Sequence, residues 1–490
     1  MIKLVLSAKM LANMIMAERS RCLKSFFEFV KSFWGVIIKE KPIYNWHIPF
    51  ICEELQKLTV FIKDRLAKPY DLLINIPPGT TKTSIVTILW PAWLWAIDPT
   101  IRVISNSYAG KLSVEHAVKT RDIIYSDLFK QLFPEVRIRR DKAGKASYTN
   151  TKGGDRNTTS SGGAITGFHG HVIINDDPLN PKQALSDELR NTANEHTKTL
   201  SSRKVDKENT PVVTIMQRLH ADDVTGFLLK KKEDNIRHIC LPAEDGPNVK
   251  PAELRKFYVD GLLDPRRLNR KVLAEAKVDL GSREYAGQFD QTPSVEGGNI
   301  VKEEWFKFVS RETFNRMRKT EPIIFFGDTA FTDKQENDPS GLLATCRIGN
   351  DLFILDYTTV RLEFPEFLKF LPTYVRAQGY TETSTIRIEP KTAGLPTVQS
   401  IKRETKLNIT YTPSPNDSKL VRLNAVTPKI EVGRVYLISG VWNEAFVTEV
   451  CGFPTQPHDE AVDLISYAIE YHLKGSTTQD NAAKAASMLG

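Results

Sequence analysis

The feature that most constrains the fold of this chain is an alternation of short apolar runs with longer helical patterns between residues 71 and about 240. Five runs have the length and composition of buried strands, at 72–76, 101–105, 172–175, 211–216 and 236–241. Strands that alternate with helices usually form a parallel sheet with crossover helices on its faces. The first half of the chain is therefore predicted to be an α/β domain built on a mostly parallel sheet.

A second strand-rich region begins at residue 323. Its candidate strands are 323–327, 341–347, 352–357 and 385–389, with helical patterns after the third and the fourth. Residues 243–305 are more polar and carry fewer strand signals, and 293–298 (PSVEGG) is typical of a linker. We expect five parts: an N-terminal helical segment at 1–45, a first domain at 46–242, a connecting lobe and linker at 243–305, a second domain at 306–474 and a flexible tail at 475–490.

Composition excludes several classes of protein. Hydrophobic residues make up 41% and charged residues 26% of the 490 residues, so disorder is not the dominant state. The longest apolar run, 85–97, contains Pro91 and is too short to span a bilayer. Residues 4–16 contain Lys9 and Asn13, which argues against a secretory signal. The five cysteines are scattered without a CxxC pair, which excludes a disulfide framework or a zinc ribbon and fits a reducing compartment.

The charge balance permits a polyanionic partner. Lys and Arg outnumber Asp and Glu by 67 to 59, for a net charge of +8. Basic residues cluster at 137–145, 266–271 and 316–319. A solvated surface is the alternative interpretation of any single cluster. If these clusters bind nucleic acid phosphates, affinity should fall steeply with salt concentration.

Residues 71–84 (DLLINIPPGTTKTS) indicate a phosphate-binding loop. An apolar strand runs into a Pro-Gly turn, which Lys82 and Thr83 follow at the start of a helix. In such loops backbone N–H groups bind phosphate, the lysine reaches the β and γ oxygens and a hydroxyl holds Mg²⁺. Compared with the common form GPPGTGKT, Ile76 and Thr81 replace glycines, and a Cβ at Thr81 crowds the phosphate approach. A simple Pro-Gly turn before a helix is the alternative. The candidate nucleotide contacts are Pro78, Gly79, Thr80, Thr81, Lys82, Thr83 and Ser84.

Paired carboxylates strengthen the ATPase interpretation. The apolar run 172–175 ends in Asp176 and Asp177. In phosphoryl transfer the first would support Mg²⁺, and the second would position or deprotonate the attacking water. Asp177 is shorter than the Glu that is more usual there. An Asp-Asp-Pro turn is the alternative, but the loop about a hundred residues upstream favours an ATPase.

Other side chains are candidates for the same site. Gln217, at the end of the run 211–216, can sense the γ-phosphate, while Arg218 can pair either with phosphate or with Asp222 or Asp223. A guanidinium that neutralises transition-state charge can come from Arg121, Arg139 or Arg140, in cis or in trans. Trp46 can stack on adenine or be buried in the core.

Three acidic positions in the second region predict a metal site. Asp328 and Glu389 each follow an apolar run, and Asp459 opens a helix with Asp463 one turn further on. Two divalent ions about 4 Å apart, held by such carboxylates, can activate water and stabilise the leaving oxygen of a phosphodiester. Solvated or helix-capping acids are the alternative. Asp338 can add a hydrogen bond, although a turn is the simpler interpretation.

Taken in order, these motifs resemble the large terminase subunit of tailed bacteriophages, the motor that packages DNA into the procapsid. The resemblance covers about residues 40–475. The segments that carry it are PPGTTKT, TGFHG at 166–170 leading into IINDDP, IMQRLHADD, LPAEDG, FDQTPSVEGG, Asp328, IEPKTAG, DSKLVR, GRVYL and HDEAVD.

The resemblance implies an α/β fold with an N-terminal P-loop ATPase domain of the additional-strand type and a C-terminal ribonuclease-H-like nuclease domain. It implies ATP and Mg²⁺ at Lys82, Thr83 and Asp176, with Asp177 activating water. Gln217 would lie in the segment that couples hydrolysis to movement. Two Mg²⁺ or Mn²⁺ ions would be bound by Asp328, Glu389 and Asp459, and Asp463 could share that site.

The resemblance also implies partners. They are double-stranded DNA, a portal protein and a small terminase subunit, with a ring of subunits on the portal and no membrane. A monomer in solution is compatible with this, and the host cytoplasm is the expected location. Three alternatives stay open: a helicase-like repair translocase with a fused nuclease, a non-enzymatic DNA-binding scaffold, and a nuclease or transposase whose first domain only binds DNA.

Overall fold

The computed structural model of the chain divides into two compact units. Unit 1 comprises Met1–Glu275 and Arg283–Glu296, and unit 2 comprises Ala276–Ser282 and Gly297–Gly490. The residues described are 8–163, 167–232, 235–293, 300–329, 339–390, 394–413, 415, 417–456 and 458–473. Thr166, Asp338, most of the linker and the tail at 475–490 lie outside them. The predicted boundaries of the five parts stay predictions.

Unit 1 is built on an eight-stranded sheet. Its strands are β1 Asp71–Asn75, β2 Val103–Ser107, β3 Ile138–Ala143, β4 Ser147–Asn150, β5 Asp155–Ser160, β6 Val172–Asp176, β7 Val212–Met216 and β8 Ile236–Cys240. They are ordered β3-β4-β5-β2-β6-β7-β1-β8. From β5 to β8 all neighbours are parallel, and β3 and β4 add an antiparallel edge. The prediction of a mostly parallel sheet is therefore confirmed.

The helices of unit 1 pack around this sheet. They are α1 Ala8–Lys24, α2 Phe26–Ile37, α3 His47–Asp64, a π-helix at Ser84–Leu89, α4 Trp90–Ile97, α5 Gly110–Tyr125, α6 Asp127–Leu132, α7 Pro181–Ala184, α8 Asp187–Ser201, α9 Val224–Lys232 and a 3₁₀ helix at Ala252–Phe257. α10 Arg270–Gln288 is interrupted at Gly281, and its residues 276–282 belong to unit 2. α1 and α2 lie in the N-terminal segment that was predicted to be helical, and Phe26, Phe29 and Phe33 of α2 are fully buried in the core that covers β1. Ser25 begins α2 by accepting a hydrogen bond from the N–H of Glu28.

In unit 1 one strand lies between the two strands that end at the candidate phosphate-binding residues. β7 lies between β1, which leads into the Pro-Gly loop, and β6, which ends at Asp176. This extra strand is the feature expected of the additional-strand type. Because the three strands are parallel, their carboxyl ends meet at one edge of the sheet.

Unit 2 is built on a seven-stranded mixed sheet. Its strands are β9 Lys307–Val309, β10 Ile323–Thr329, β11 Ser340–Ile348, β12 Asp351–Val360, β13 Thr385–Pro390, β14 Ile409–Tyr411 and β15 Val435–Ile438. They are ordered β14-β13-β10-β11-β12-β15-β9, and β11 is antiparallel to β10 and β12. The four strands predicted in this region are all present. The order β12-β11-β10-β13-β14 agrees with the predicted ribonuclease-H-like fold.

Two helical layers cover the sheet of unit 2. The helices are a 3₁₀ helix at Glu303–Trp305, α11 Arg311–Met317, α12 Phe364–Ala377, α13 Gly394–Thr405, α14 Lys419–Glu431, α15 Asn443–Gly452 and α16 Glu460–Leu473. Alternate residues of β10 enter different cores. Ile324 and Phe326 pack with α14 and α16, whereas Ile323 and Phe325 pack with α12 and α13. The α/β class predicted for both halves of the chain is confirmed.

No helix in the described ranges is both long enough and apolar enough to cross a membrane.

Candidate functional site

The Pro-Gly loop after β1 has a strained backbone. Gly79 and Thr81 both lie in the left-handed region, with φ of 77° and 63°. The Thr80 hydroxyl donates to the carbonyl of Pro77 at 2.8 Å and closes the turn. Thr81 stands where the common motif has glycine and adopts a conformation that glycine adopts without strain. Ser84 begins the π-helix that follows the loop.

Lys82 connects the loop to the two neighbouring strand ends. Its amine donates to Oε1 of Gln217, which follows β7, and lies 3.2 Å from Oδ1 of Asp177, which follows β6. The Lys82 side chain is almost fully buried. The structure therefore brings together three of the predicted residues, which are separated by as many as 135 positions in the sequence.

Thr83 and Asp176 form the second contact of this site. The Thr83 hydroxyl donates to Oδ1 of Asp176 at 3.1 Å. Burial and the neighbouring Asp177 raise the pKa of Asp176 to about 7, while Lys82 and Thr83 act in the opposite direction. Among the described residues, Oδ2 of Asp176 has no hydrogen-bond partner. A buried carboxylate oxygen beside a hydroxyl is the kind of oxygen donor set that suits Mg²⁺.

Two other predicted contacts lie against protein groups. The Trp46 ring stacks on Phe257, with centroids 5.3 Å apart, and its N–H donates to the carbonyl of Leu263 at 3.1 Å. The Arg121 guanidinium donates to the carbonyls of Ala143 and Gly144 at 3.0 and 3.3 Å. The roles predicted for Trp46 and Arg121 stay predictions.

The other arginines considered from the sequence have carboxylate partners or lie on the surface. Arg218 pairs with Asp223, at 3.0 Å, and Arg139 pairs with Asp141 in an exposed contact. Arg140 is exposed on β3.

Arg156 on β5 is a residue of this region that the sequence did not indicate. It is fully buried, donates to the carbonyl of Thr87 in the π-helix at 2.9 Å, and interacts electrostatically with Asp176. Burial lowers its pKa. A single arginine in the polar run DRNTTS gives no sequence signal, because its importance depends on the strands and helix that surround it.

In unit 2 the two strand-end carboxylates are direct neighbours. Asp328 on β10 is in parallel register with Glu389 on β13. Asp328 continues the alternation of Ile324 and Phe326, so it lies on the face of the sheet that α16 covers. Both carboxylates are largely buried.

Glu460 is a third buried carboxylate on that face, and the sequence prediction did not include it. Gly341 on β11 is the register partner of Asp328. A Cβ built on Gly341 would lie 3.1 Å from the Cβ of Glu460, the first residue of α16. Glu460 therefore packs against the strand position that is paired with Asp328. The sequence did offer one signal for Glu460, because it directly follows Asp459 in the segment HDEAVD.

Basic side chains pair with Asp459 and Asp463, and a tyrosine hydroxyl contacts Glu389. The Lys419 amine contacts Oδ1 of Asp459 and lies 3.0 Å from Oδ2 of Asp463. Arg422 lies 2.6 Å from Oδ1 of Asp463, and the Tyr467 hydroxyl donates to Glu389. Burial raises the pKa of Asp463, whereas Arg422 and Lys419 lower it.

The predicted acids therefore fall into two groups. Asp328 and Glu389 are register neighbours, and Glu460 packs against Gly341, the register partner of Asp328. Asp459 and Asp463 are paired instead with Lys419 and Arg422 of α14. In the ranges that the structure describes, no group of three or more His, Cys, Asp or Glu side chains is arranged to hold a metal ion.

Comparisons with known proteins add a structural resemblance. No protein-family model matches the chain, and neither does any curated protein. Among the solved structures that match is the large terminase of a thermophilic bacteriophage, with a TM-score of 0.46, 10% identity and coverage of 86% of this chain and 99% of that chain. The HK97 bacteriophage large terminase gives a TM-score of 0.36 and 10% identity over 92% and 99%. The human cytomegalovirus terminase nuclease domain gives 0.26 and 13% over 35% and 96%.

These solved structures are terminases or terminase domains, which is the family that the sequence motifs resemble. At identities near 10%, the function proposed below rests on the geometry of the two sites.

Proposed function

We propose that the protein is a DNA-packaging motor in which unit 1 hydrolyses ATP and unit 2 cuts double-stranded DNA. The single observation that carries this proposal is the convergence of Lys82, Asp177 and Gln217 at the ends of three parallel strands. Two separate sites with phosphate-directed chemistry in one chain favour a motor with a nuclease over a binding protein.

In unit 1 each side chain has a role that its position supports. Lys82 would bind the β and γ oxygens of ATP, and Thr83 and Asp176 would hold Mg²⁺, which neutralises phosphate charge when bound. Asp177 would orient the attacking water and accept its proton. Gln217 contacts Lys82, so the loss of phosphate from Lys82 would change a contact at the end of β7.

The Lys82 amine lies 3.2 Å from Oδ1 of Asp177. A phosphate that takes over Lys82 would release the Asp177 carboxylate for its contact with water. Nucleotide binding would in this way prepare the base.

In unit 2 the proposed metal ligands are Asp328 and Glu389, with Glu460 as the third carboxylate in place of Asp459. Binding of the ions would draw these three carboxylates into an arrangement that they do not have in this structure. Divalent ions held there, Mg²⁺ or Mn²⁺, would supply an activated water and stabilise the leaving oxygen. Asp459 and Asp463 are paired with Lys419 and Arg422. These two acids would orient the Lys419 and Arg422 side chains, which can in turn bind the phosphates of the DNA backbone.

The proposed partners follow from this activity. They are double-stranded DNA, the portal protein of a procapsid and a small terminase subunit, with the chain working in a ring in the host cytoplasm. The exposed basic residues of β3 and of the other two clusters would bind DNA phosphates without reading sequence.

The ATPase proposal is tested by changing Lys82 to Ala. ATP turnover should fall by about a hundredfold or more, because one charge that stabilises the transition state is lost. Lys130→Ala is the matched control, since the Lys130 side chain lies on α6, outside the three basic clusters, and is 56% exposed. Retained turnover in Lys82→Ala would show that the loop is not the ATP site.

The nuclease proposal is tested in the same preparation. Asp328→Asn should abolish Mn²⁺-dependent cutting of duplex DNA and leave ATP turnover unchanged, because the two sites lie in different units. Asp351→Asn, at the start of β12, is the control. Loss of both activities in Asp328→Asn, or undiminished cutting, would contradict two independent sites.

A further inference from the structure

His47 lies buried against the phosphate loop, and none of the roles proposed above uses it. It is the first residue of α3 and is fully buried. Its Nε2 lies 3.2 Å from the carbonyl oxygen of Thr80. A carbonyl can only accept, so the ring must carry its proton on Nε2.

Asn45 fixes this tautomer from the other side of the ring. The Asn45 amide nitrogen lies 2.8 Å from Nδ1 of His47, so Nδ1 accepts a hydrogen bond. Burial lowers the pKa of His47 to about 4, so the ring is neutral at pH 7 with a single N–H. The same amide nitrogen donates to the carbonyl of Leu263 at 2.6 Å, which holds Asn45 in place.

The contact with His47 determines the direction of one loop amide. In a trans peptide the C=O and the following N–H point in opposite directions. The Thr80 carbonyl points to the buried His47 across a trans peptide, so the Thr81 N–H points away from His47. Outward amides of such loops are the groups that bind phosphate oxygens.

Thr81 makes this support necessary. Its φ of 63° is disfavoured for a residue with a Cβ. Glycine, which the common loop has at this position, adopts such a φ without steric cost. The Thr80 carbonyl accepts a hydrogen bond from the Thr81 hydroxyl at 2.5 Å as well as from His47. The hydroxyl belongs to the same loop and moves with it, whereas His47 ties the carbonyl to α3. Without His47 the Thr80–Thr81 peptide would lose this tie, and the Thr81 amide would turn away.

We propose that His47 is a positioning residue for polyphosphate: its Nε2–H holds the Thr80 carbonyl inward, which aims the Thr81 N–H at the bound phosphate, and Asn45 fixes the tautomer that makes this possible. The inference rests on the proposed ATP site. It assigns to a buried histidine the function that a loop glycine has in the common motif.

The experiment compares His47→Phe with His47→Gln in the full-length chain. Phe keeps the ring without a donor, whereas the Gln amide can place an N–H close to the position of Nε2. The KM for ATP should rise about tenfold in His47→Phe, the effect of one lost hydrogen bond to phosphate, and should stay within about twofold of the original in His47→Gln. The kcat should change little in either variant, because His47 does not contact the reacting atoms.

Inhibition by tripolyphosphate separates a loop effect from an effect on the base. Tripolyphosphate has no adenine or ribose, so it depends on the loop alone. Its inhibition constant should weaken by the same factor as the KM for ATP in His47→Phe. Unchanged inhibition by tripolyphosphate would overturn the proposal, and so would a His47→Gln variant as weak as His47→Phe.

A second variant covers the case in which His47→Phe does not fold. Asn45→Ala removes the group that fixes the tautomer, and it should raise the KM by a smaller factor of about three, because the favourable tautomer is then only partly populated. An unchanged KM in Asn45→Ala would overturn the role of Asn45. If the original chain had no ATP turnover, the proposed function would fail instead, so the two failures are distinguishable.

Discussion

The phosphate loop turns through the left-handed region at two residues, and the steric cost differs between them. Gly79, with φ of 77°, has no Cβ and no atom within 4 Å of the place where one would stand. Any effect of adding a methyl group there would therefore come from the backbone alone. Thr81 already bears the strain that such a group imposes, and its peptide is held by His47.

We expect Gly79→Ala to reduce the free energy of unfolding of unit 1 by about 1 kcal/mol, because a left-handed conformation costs an L-residue about 1–2 kcal/mol and the restricted unfolded chain returns part of it. Gly246→Ala is the control, since Gly246 has equal room but no positive φ. Urea unfolding followed by tryptophan fluorescence measures both, as five of the seven tryptophans lie in unit 1. Equal effects at the two glycines would contradict the backbone explanation.

At the scale of single residues, the sequence predicted those whose chemistry follows a strand end. Lys82, Asp176 and Gln217 could be placed in one site because strand ends in a parallel sheet converge. His47 and Glu460 could not, because their importance comes from groups that they meet only in the folded chain. No pattern in the sequence places Gly341 opposite Asp328, and this pairing is what identifies Glu460.

At the scale of elements, a buried ion pair shapes the turn between β7 and α9. Asp223 accepts hydrogen bonds from the N–H groups of Leu219 and Gly226, each at 2.9 Å, and pairs with Arg218. Its side chain is fully buried. The turn begins directly after Gln217, so Asp223 fixes the segment that contacts Lys82.

Asp223→Ala should therefore destabilise unit 1 by about 3 kcal/mol, the usual cost of leaving one partner of a buried pair uncompensated. It should also reduce ATP turnover by moving Gln217. Asp222→Ala is the matched control, because Asp222 pairs with Lys230 in an exposed contact that is worth less than about 1 kcal/mol. Urea unfolding and ATP turnover measure the two effects. Similar losses for both variants would show that the pair does not organise the turn.

The sequence predicted strands where apolar residues run without interruption, as in β1, β6 and β10. It did not predict β3, β4 and β5, which are polar. β3 is the edge strand of the sheet, and β4 and β5 are the next two strands inward. The short β9 and β14, three residues each, were also missed. Edge strands need fewer buried side chains, so their hydrophobic pattern is weak.

At the scale of the whole molecule, buried and half-buried histidines with a lowered pKa are unevenly divided between the two units. Burial lowers the pKa of five of them to about 4. Four lie in unit 1 and one in unit 2: His47, His116, His171 and His238 in the first, and His472 in the second. The ordinary pKa of histidine is 6.5. Between pH 6.5 and about 4, each is therefore protonated in the unfolded chain but not in the folded one.

Because the unfolded state binds more protons in this window, the stability that these histidines contribute is complete above pH 6.5 and is lost as the pH falls to 4. Unit 1 should consequently lose stability faster than unit 2 on acidification, by at most about 1.4 kcal/mol per pH unit for each histidine.

His238→Gln tests this, because Gln can keep the hydrogen bond from Nε2 to Asn75 but does not titrate in this range. Urea unfolding of unit 1 between pH 7 and 4.5 should show a shallower pH dependence in His238→Gln than in the original chain. His472→Gln, in unit 2, should leave the pH dependence of unit 1 unchanged. Identical pH dependence in all three proteins would show that His238 is protonated in the folded chain as readily as in the unfolded one.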